Sequence, residues 1–355
     1  MMAETPADQP LISVIIPAYN AAGTIAATLA SVREQRYPHF EIIAVDDGST
    51  DRTHDILRAI AREEPRLRII TQANGGVARA RNAAIAEAQG TWIATIDADD
   101  IWHPDKLARQ MHVATTSPLA PVMVYSWCRR IDAQDRVISD QGRPLHEGMA
   151  LDQILGFNFL NNASNVMFRA DAARAAGGFE EAFQAFRAYG TEDIDFYLAL
   201  AQRGPIAPAP GFLVGYRITG GGMSASPRRM RMAIEMTLFR LEQARPDIAP
   251  ALFTLSRTFY DLYAAALALQ SGRGGMFLGF LTQAFIRRPD VTALFLGCVP
   301  FWRGAEARAT RHGRPHFADL DPDLSSHAQP LAERFDRFRT ARIRKAACRS
   351  AQESP

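Results

Sequence analysis

The stretch that decides the fold of this chain covers residues 91–100 and reads TWIATIDADD. Its first part is apolar or β-branched, as in a buried strand, and its end holds three carboxylates and one alanine. Hard cations prefer oxygen ligands, and Mg²⁺ commonly takes one or two protein carboxylates and completes its shell with phosphate oxygens. The stretch therefore predicts a strand that ends in a site for a divalent cation and a diphosphate. Taken alone it also fits an acidic turn that serves only solubility, because Asp is a common turn residue.

The chain before this stretch alternates between strand and helix patterns. Short β-branched runs predict buried parallel strands at residues 11–17, 40–45, 67–71 and 91–96. Helical composition predicts helices between them at residues 21–35, 53–62 and 77–88. This alternation is typical of a doubly wound α/β sheet, whose ligands bind outside the carboxyl ends of the strands.

The pattern loosens after residue 100. We predict helices at 106–116, 171–176 and 193–202 and strands at 122–130 and 165–169, while the polar connection 136–148 fits either a hairpin or an irregular path. From residue 227 onward the chain reads as mostly helical, with helices at 228–243 and 249–270. We therefore predict a disordered N-terminus at 1–10, an α/β domain at 11–225 with halves 11–102 and 103–225, and a helical C-terminal region at 226–355.

Composition narrows the class of protein. The chain has 355 residues, of which 47% are hydrophobic, so it can bury a full core. Its net charge is only +2, and the first two thirds contain no basic run, so we expect no nucleic-acid partner. Three scattered cysteines suggest neither a disulfide framework nor a zinc site. Residues 1–10 lack the basic start and apolar core of a secretory signal, so we expect a cytoplasmic protein.

Two apolar segments near the C-terminus, 276–286 and 291–302, are each too short to span a bilayer. A set of basic residues follows them: Arg334, Arg337, Arg339, Arg342, Arg344, Lys345 and Arg349. Together they suit helices that lie on anionic lipid, which predicts peripheral contact with the cytoplasmic face of the inner membrane. A solvated basic helix and a homo-oligomer contact are open alternatives.

Polar clusters follow three of the predicted strands. They are PAYN at 17–20, DDGST at 46–50 and DADD at 97–100, with NGGVARARN at 74–82 between the second and the third. In order and spacing this set resembles the family 2 glycosyltransferases, which are inverting enzymes of the GT-A fold. GGFEE at 177–181, TEDIDF at 191–196, and YR at 216–217 followed by Ser224 resemble the acceptor side of that family. The resemblance covers residues 11–225 and implies a mixed sheet flanked by helices.

The resemblance implies a nucleotide pocket. It assigns to that pocket Pro17, Ala18, Tyr19, Asn20, Asp46, Asp47, Gly75, Gly76, Arg79, Asp97 and Ala98. Asp46 would contact the base or the ribose, since a carboxylate accepts hydrogen bonds from an imide N–H or a hydroxyl. Residues 46–49 also fit a plain strand-to-helix turn with a capping Asp47 or Ser49, and residues 74–76 fit a plain glycine turn before a solvated basic helix face.

The resemblance also implies a metal and a catalytic base. Asp99 and Asp97 would hold Mg²⁺ or Mn²⁺, with Asp97 contacting the ribose or the water shell of the ion. Asp193 would be the general base and Glu192 an acceptor or orienting contact, because an inverting transfer needs a group that takes the acceptor proton. Both acids also fit a simple preference for a helix N-terminus.

Arg217 and Thr219 would contact the diphosphate or the acceptor. Thr219 stands where the family often has a histidine, so the resemblance supplies no third protein ligand for the metal. It implies a hexosyltransferase-type enzyme that moves a sugar from a nucleotide-diphosphate donor, taken to be UDP-linked, to a saccharide or lipid-linked acceptor in cell-envelope or exported polysaccharide synthesis. The alternative is a catalytically silent sugar-nucleotide-binding or scaffold protein of the same fold.

Overall fold

The structure is a computed structural model that describes residues 9–184, 186, 190–218, 226–297, 314–325 and 339–347. Several sequence-based predictions lie outside these residues: Thr219 and Ser224, three of the basic residues (Arg334, Arg337 and Arg349), and most of the N-terminus predicted to be disordered.

The first half of the chain forms the predicted strand-helix alternation. Its elements are β1 (Ile12–Ala18), α1 (Ile25–Arg33), β2 (Phe40–Asp46), α2 (Thr53–Ala61), β3 (Leu67–Thr71), α3 (Val77–Glu87) and β4 (Trp92–Thr95). The four strands pair in parallel in the order β3-β2-β1-β4. Every residue of β1 and of β4 is buried, because helices cover both faces of a parallel sheet. The predicted doubly wound core is therefore confirmed.

The register of these strands brings the polar clusters to one edge. Ala18 at the end of β1 pairs with Asp46 at the end of β2, and Asp46 pairs with Thr71 at the end of β3. On the other side of β1, Ile15 pairs with Thr95 of β4. The loops that follow β1, β2, β3 and β4 consequently emerge side by side, as the positions of the clusters in the sequence predict.

The second half extends the sheet with antiparallel pairs and with one parallel pair, that of its strands at 123–131 and 206–217. Its elements are β5 (Ile101–Trp102), α4 (Lys106–Thr116), β6 (Met123–Ile131), β7 (Val137–Asp140), α5 (Leu151–Gly156), β8 (Val166–Arg169), α6 (Ala170–Ala175), α7 (Glu192–Ala201) and β9 (Ile206–Arg217). The order continues β4-β8-β6-β9-β5, with β7 beside β6. The polar connection thus begins as a hairpin. The patterns did not predict β5, α5 or β9.

The C-terminal helices share the core of the sheet. They are α8 (Pro227–Ala244), α9 (Pro250–Gln270) and α10 (Gly274–Arg287), followed by helical residues at 289–297 and 339–347. Leu238 of α8 and Phe253 of α9 belong to the same buried cluster as Phe168 of β8 and Phe196 of α7. The Ser256 hydroxyl on α9 also donates to the Leu155 carbonyl at 2.6 Å. Within the described residues, no helix is both long enough and apolar enough to cross a bilayer.

Residues 314–325 differ from the helical prediction for this region. They lie along the far edge of the sheet, where His316 bridges to Arg136 and the Phe212 N–H donates to the Pro322 carbonyl at 2.7 Å. Phe317 packs against Ile101, Ile131 and Val137. Prolines at 315 and 322 disfavour a continuous helix here, so the segment serves as a cover for the sheet edge.

A buried ion-pair cluster ties the three C-terminal helices together. The carboxylate of Asp261 on α9 is fully buried and pairs with Arg231 of α8 and Arg287 of α10. Burial raises the pKa of Asp261 even though the two arginines oppose that change. A buried charge held only by its partners makes each helix depend on the other two.

We expect Asp261→Ala to lower the free energy of unfolding by about 3–5 kcal/mol, because it removes the buried carboxylate that Arg231 and Arg287 share and leaves Arg231 with Glu235 alone among the described acids. Urea denaturation followed by circular dichroism measures this change. Glu87→Ala is the matched control, since it removes the exposed Glu87–Arg68 pair and should leave the transition unchanged. Equal transitions for the two variants would contradict a structural role for the Asp261 cluster.

Candidate active site

Asp47 holds the glycine loop that precedes α3. Its Oδ1 accepts hydrogen bonds from the Gly75 N–H at 2.9 Å and the Gln72 amide at 2.7 Å, and its Oδ2 accepts one from the Gly76 N–H at 2.7 Å. The Asn74 side chain donates to the Asp47 carbonyl at 3.0 Å. Both carboxylate oxygens of Asp47 are therefore used within the protein, and its predicted contact with a nucleotide stays a prediction.

Asp46 is placed differently from its neighbour. It is 2% exposed and accepts hydrogen bonds from the Ser49 N–H at 3.0 Å and from His54 Nδ1 at 3.0 Å.

The loop after β1 lies beside Asp46. Tyr19 is 52% exposed, and Asn20 adopts a left-handed backbone with φ 49° while its side chain accepts from the Thr50 N–H at 2.8 Å. Pro17 and Ala18 are buried at the end of β1. These predicted pocket residues lie together at the carboxyl edge.

The glycine at position 76 is required by its surroundings. Its φ is +84°, and a Cβ there would lie 2.0 Å from the Gln184 side-chain oxygen. A Cβ at Gly75 would meet the Arg79 side chain at 2.3 Å. The backbone can thus pass close to neighbouring groups at the start of α3, as expected for a loop beside a ligand. Arg79 itself is exposed.

Arg81, four residues after the start of α3, is buried in the site. Its Nη2 donates to Asp97 Oδ1 at 2.6 Å, and its guanidinium lies 5.0 Å from the ring centre of Phe179. Burial lowers the pKa of Arg81, but the charges of Asp97 and Asp193 more than compensate, so the pKa is raised overall. Arg81 is thus a permanent cation that faces an acid from each half of the chain.

Asp193 and Glu192 begin α7. Burial raises the pKa of Asp193 to about 7, with Glu192 and Asp97 adding to the rise and Arg81 opposing it. The Asp193 carboxylate accepts from the Ile194 N–H at 2.9 Å, and Glu192, 6% exposed, accepts from the Gly190 N–H at 3.0 Å. Glu192 also lines a shallow cavity together with Gly76, Val77, Ala78, Glu180, Glu181 and Gln184. The predicted base therefore lies beside the predicted nucleotide loop, with a pKa suited to proton transfer near neutral pH.

Asp99 and Asp100 have different environments. Asp100 is fully buried and accepts from the Ser164 hydroxyl at 2.5 Å and the Arg217 N–H at 2.9 Å. Asp99 is only partly buried, and burial together with the charge of Asp97 raises its pKa to about 6. Asp100 therefore fixes the loop, while Asp99 keeps its carboxylate available.

The available carboxylates fit a divalent cation. Asp97 uses one oxygen for Arg81, and among the residues that the structure describes the side chain of Asp99 has no partner other than backbone. Two such groups match what Mg²⁺ usually takes from a protein when phosphates supply the rest. Among the described residues, no group of three or more His, Cys, Asp or Glu side chains is arranged around a common point.

Arg217 holds the loop that carries these acids. Its Nε donates to the Asp99 carbonyl at 2.7 Å and its Nη1 to the Asp132 carbonyl at 2.8 Å, while Nη2 pairs with Asp135. The side chain is buried. These contacts assign Arg217 a positioning role, and its direct contact with a diphosphate stays a prediction.

Two residues near the site, Arg81 and Ser164, were not among the site residues predicted from the sequence. Arg81 was recognised as part of α3 but not as a site residue, although its place on the buried face with Ala78 and Ala84 was a usable signal. Ser164 donates to Asp100 and accepts from the Asp97 N–H at 3.0 Å, and no local pattern marks it.

Unpaired buried polar atoms surround the start of α7. Within the described chain, Arg81 Nε, both amide atoms of Asn162 and the hydroxyl of Thr191 have no hydrogen-bond partner. Asn162 lies near this site. Its carbonyl accepts a hydrogen bond from the Tyr197 hydroxyl, and the charges of Asp193 and Arg81 act on the pKa of Tyr197. Buried polar groups without partners are rare in folded proteins and commonly mark a place where water or a ligand binds.

Comparison with known proteins places the chain in a family. Residues 13–172 match the family described as Glycosyl transferase family 2. An uncharacterized glycosyltransferase of Haemophilus influenzae is 30% identical over 224 residues, which cover 61% of this chain and 68% of that protein. The putative teichuronic acid biosynthesis glycosyltransferase TuaG of Bacillus subtilis is 46% identical over 104 residues, or 29% of this chain and 41% of TuaG.

Two solved structures share the fold. Residues 1–349 of S. aureus TarS, in complex with UDP-GlcNAc, align at TM-score 0.55 and 17% identity over 90% of this chain and 98% of that one. The mannosyltransferase PcManGT of Pyrobaculum calidifontis, in complex with GDP-Man and Mn²⁺, aligns at TM-score 0.54 and 19% identity over 99% of this chain and 90% of that one. The predicted GT-A fold is thereby confirmed.

A mixed sheet with acids gathered at the carboxyl ends of its parallel strands is the arrangement of a nucleotide-sugar-binding GT-A domain. The chain belongs to glycosyl transferase family 2. It spans 41% of TuaG and between 25% and 44% of two further curated relatives, so the likeness covers one part of those longer proteins.

We expect Asp47→Ala to lower the free energy of unfolding by about 2–4 kcal/mol, because it removes a charged acceptor and leaves the N–H groups of the glycine loop unpaired. Asp99→Ala removes no side-chain contact within the described protein and should not lower stability. Thermal unfolding of the two variants beside the wild type measures the difference. A larger loss for Asp99→Ala would contradict the roles that the contacts assign to the two acids.

Proposed function

We propose that this protein is a metal-dependent, inverting glycosyltransferase that moves a sugar from a nucleoside-diphosphate donor to a hydroxyl of an acceptor. The observation that carries the proposal is the approach of Asp97 and Asp193 to the same buried guanidinium, that of Arg81. Asp97 follows the last parallel strand of the nucleotide half, and Asp193 begins the helix of the acceptor half. The proposed donor side and the proposed acceptor side of the site therefore share one charged group, the Arg81 guanidinium.

Asp193 is the general base of the proposed reaction. The acceptor oxygen attacks the anomeric carbon from the face opposite the diphosphate, the bond from that carbon to the diphosphate oxygen breaks, and the acceptor proton passes to the Asp193 carboxylate. The products are an inverted glycoside and a nucleoside diphosphate. A carboxylate with a pKa near 7 is basic enough to take this proton and is still largely ionised above neutral pH.

Arg81 keeps Asp193 ionisable. Without a nearby cation, burial next to Glu192 and Asp97 would favour the protonated acid even more strongly. Arg81 also pairs with Asp97, so one cation acts on both the base and the end of β4. Glu192, held by the Gly190 N–H, orients the acceptor.

Asp99 and Asp97 are the residues that would hold Mg²⁺ or Mn²⁺. A divalent ion bound there stabilises the negative charge that develops on the leaving diphosphate. Arg217 and Asp100 fix the backbone on which these ligands stand. The GDP-Man and Mn²⁺ recorded with the PcManGT structure support such an ion for a domain of this fold.

The donor is proposed to be UDP-linked, in keeping with the UDP-GlcNAc bound by TarS, and the acceptor a saccharide or a lipid-linked saccharide. Asp46 would accept a hydrogen bond from the uracil imide, and Tyr19 is exposed where it can cover the base. The biological setting proposed is the synthesis of cell-envelope or exported polysaccharide in the cytoplasm, supported by the part-length likeness to TuaG.

We expect UDP and UDP-sugars to raise the melting temperature of the protein, and Mn²⁺ to enlarge the rise, because a ligand that binds only the native state stabilises it. A thermal-shift screen against GDP, CDP and dTDP and their sugars measures the preference. In Asp99→Ala the nucleotide effect should lose its dependence on Mn²⁺. A larger shift with GDP would replace the UDP assignment, and no shift with any nucleotide would contradict the proposed function.

We expect kcat/KM to fall about tenfold for each pH unit below about 7, because Asp193 must be deprotonated to act as a base and its pKa is raised to about 7. Asp193→Asn should lose roughly 10²–10⁴-fold in kcat while it still binds the donor. Above pH 7 this variant should unfold at the same temperature as the wild type or a higher one, since burial disfavours the ionised acid that it lacks. Full activity of Asp193→Asn would overturn the assignment of the base.

Arg81→Gln and Arg79→Gln form a matched pair on the same helix. Loss of the cation beside Asp193 raises the pKa of the base further, so Arg81→Gln should move the acidic limb of the pH profile to higher pH. Arg79 is exposed, and Arg79→Gln should leave the limb in place. Arg81→Lys keeps the charge and should restore most of the wild-type profile, which separates an electrostatic role from simple packing.

A further inference from the structure

The outward face of α10 carries no charged residue and exposes three large apolar side chains. Leu278, Phe285 and Ile286 are 61%, 55% and 76% exposed. Their spacing places them along one stripe of the helix. The other exposed positions of α10 are Gly274, Gly275, Gly279, Thr282 and Gln283, and Ala284 is its one fully buried residue.

This stripe differs from ordinary surface composition. Single exposed apolar residues are common, whereas a cluster on one helix face usually marks a contact site. Leu296, in the helical residues 289–297 that follow, is 43% exposed. The inward side of α10 packs against α9, so the helix itself is firmly held in the fold.

Exposed basic residues lie at the start of α10 and on the helical residues 339–347. Arg273 immediately precedes α10, and Arg344 and Lys345 belong to the helical residues 339–347; all three are exposed. An ion pair of 3.2 Å between Arg342 and Asp290 places that helix beside the start of 289–297. Within the described chain, no carboxylate pairs with Arg273, Arg344 or Lys345, in contrast to Arg287 and Arg288, which pair with Asp261 and Asp290.

The size of the stripe argues against a second protein as its occupant. A helix of 14 residues is about 21 Å long, and an outward face about 10 Å wide offers roughly 200 Å². A stable protein interface needs about 800 Å² from each partner. A helix that lies in a membrane interface needs only one apolar face and basic groups to meet the lipid phosphates.

We propose that α10 docks on an anionic phospholipid surface, with Leu278, Phe285 and Ile286 entering the boundary between headgroups and acyl chains. Arg273, Arg344 and Lys345 face the lipid phosphates, where each basic residue near the surface adds to binding. The docking of α10 goes beyond the proposed reaction and does not depend on it.

Co-sedimentation of the full chain with lipid vesicles tests the proposal. We expect binding to vesicles of phosphatidylcholine mixed with phosphatidylglycerol, little binding to phosphatidylcholine alone, and weaker binding at high salt. The triple substitution Leu278→Ser, Phe285→Ser and Ile286→Ser should weaken binding about tenfold or more, since binding scales with the buried apolar area. Arg344→Glu with Lys345→Glu should reduce binding to the anionic vesicles in particular.

Leu324→Ser is the control, because Leu324 is 64% exposed but lies in residues 314–325, along the other edge of the sheet. It should bind vesicles as the wild type does. The triple variant should keep its melting temperature and its turnover of a soluble acceptor, which separates a lost membrane contact from a damaged fold or active site. Absence of vesicle binding by the wild type, equal binding to neutral vesicles, or a dimer in sedimentation velocity that the triple substitution abolishes without changing vesicle binding would each overturn the proposal.

Discussion

The buried guanidinium of Arg81 is the constraint on which the arrangement of the site depends. It enters from α3, pairs with Asp97 at the end of β4 and acts electrostatically on Asp193 at the start of α7. These three elements belong to different parts of the chain and would otherwise bring acids close together without compensation. A fixed cation offsets this effect, because neighbouring carboxylates in a partly buried cleft raise one another's pKa and so favour their protonated forms. The geometry and the ionisation state of the cleft therefore have a common cause.

A second regularity concerns the two pairs of adjacent acids. In one pair, Asp47 gives both carboxylate oxygens to the loop at 75–76, and in the other, Asp100 gives both to Ser164 and the Arg217 N–H. Their neighbours differ from each other: Asp46 accepts from the Ser49 N–H and from His54, whereas the Asp99 carboxylate has no side-chain partner among the described residues. In the second cluster one acid therefore fixes the loop while its neighbour remains available to a ligand. This division accounts for the presence of Asp100 beside the two acids that the proposed metal needs.

Much of the nucleotide half could be predicted from the sequence, and the reasons are local. Its strands are mostly apolar runs with polar residues at or just after their ends, and parallel pairing brings those ends to one edge. The strand at 206–217 was not predictable in this way because its two prolines and two glycines contradict strand propensity, and its pairing with β6 contains register shifts. The sequence also did not indicate which member of an acidic pair binds the loop, because the partners of Asp47 lie 28 and 29 positions further along the chain.

The C-terminal helices are best understood as part of the catalytic unit. Arg240 of α8 pairs with Glu180, a residue that lines the cavity next to Glu192, and its Nη1 lies 3.9 Å from Asp195 of α7. On the other side of the core, the Asn158 N–H donates to the Tyr260 hydroxyl of α9 at 3.1 Å, and Arg339 lies 3.9 Å from the ring centre of Phe157. Helix α7, which carries the proposed base, is consequently packed between the sheet and α8. Packing and ion pairs thus connect the C-terminal helices directly to the residues of the cleft.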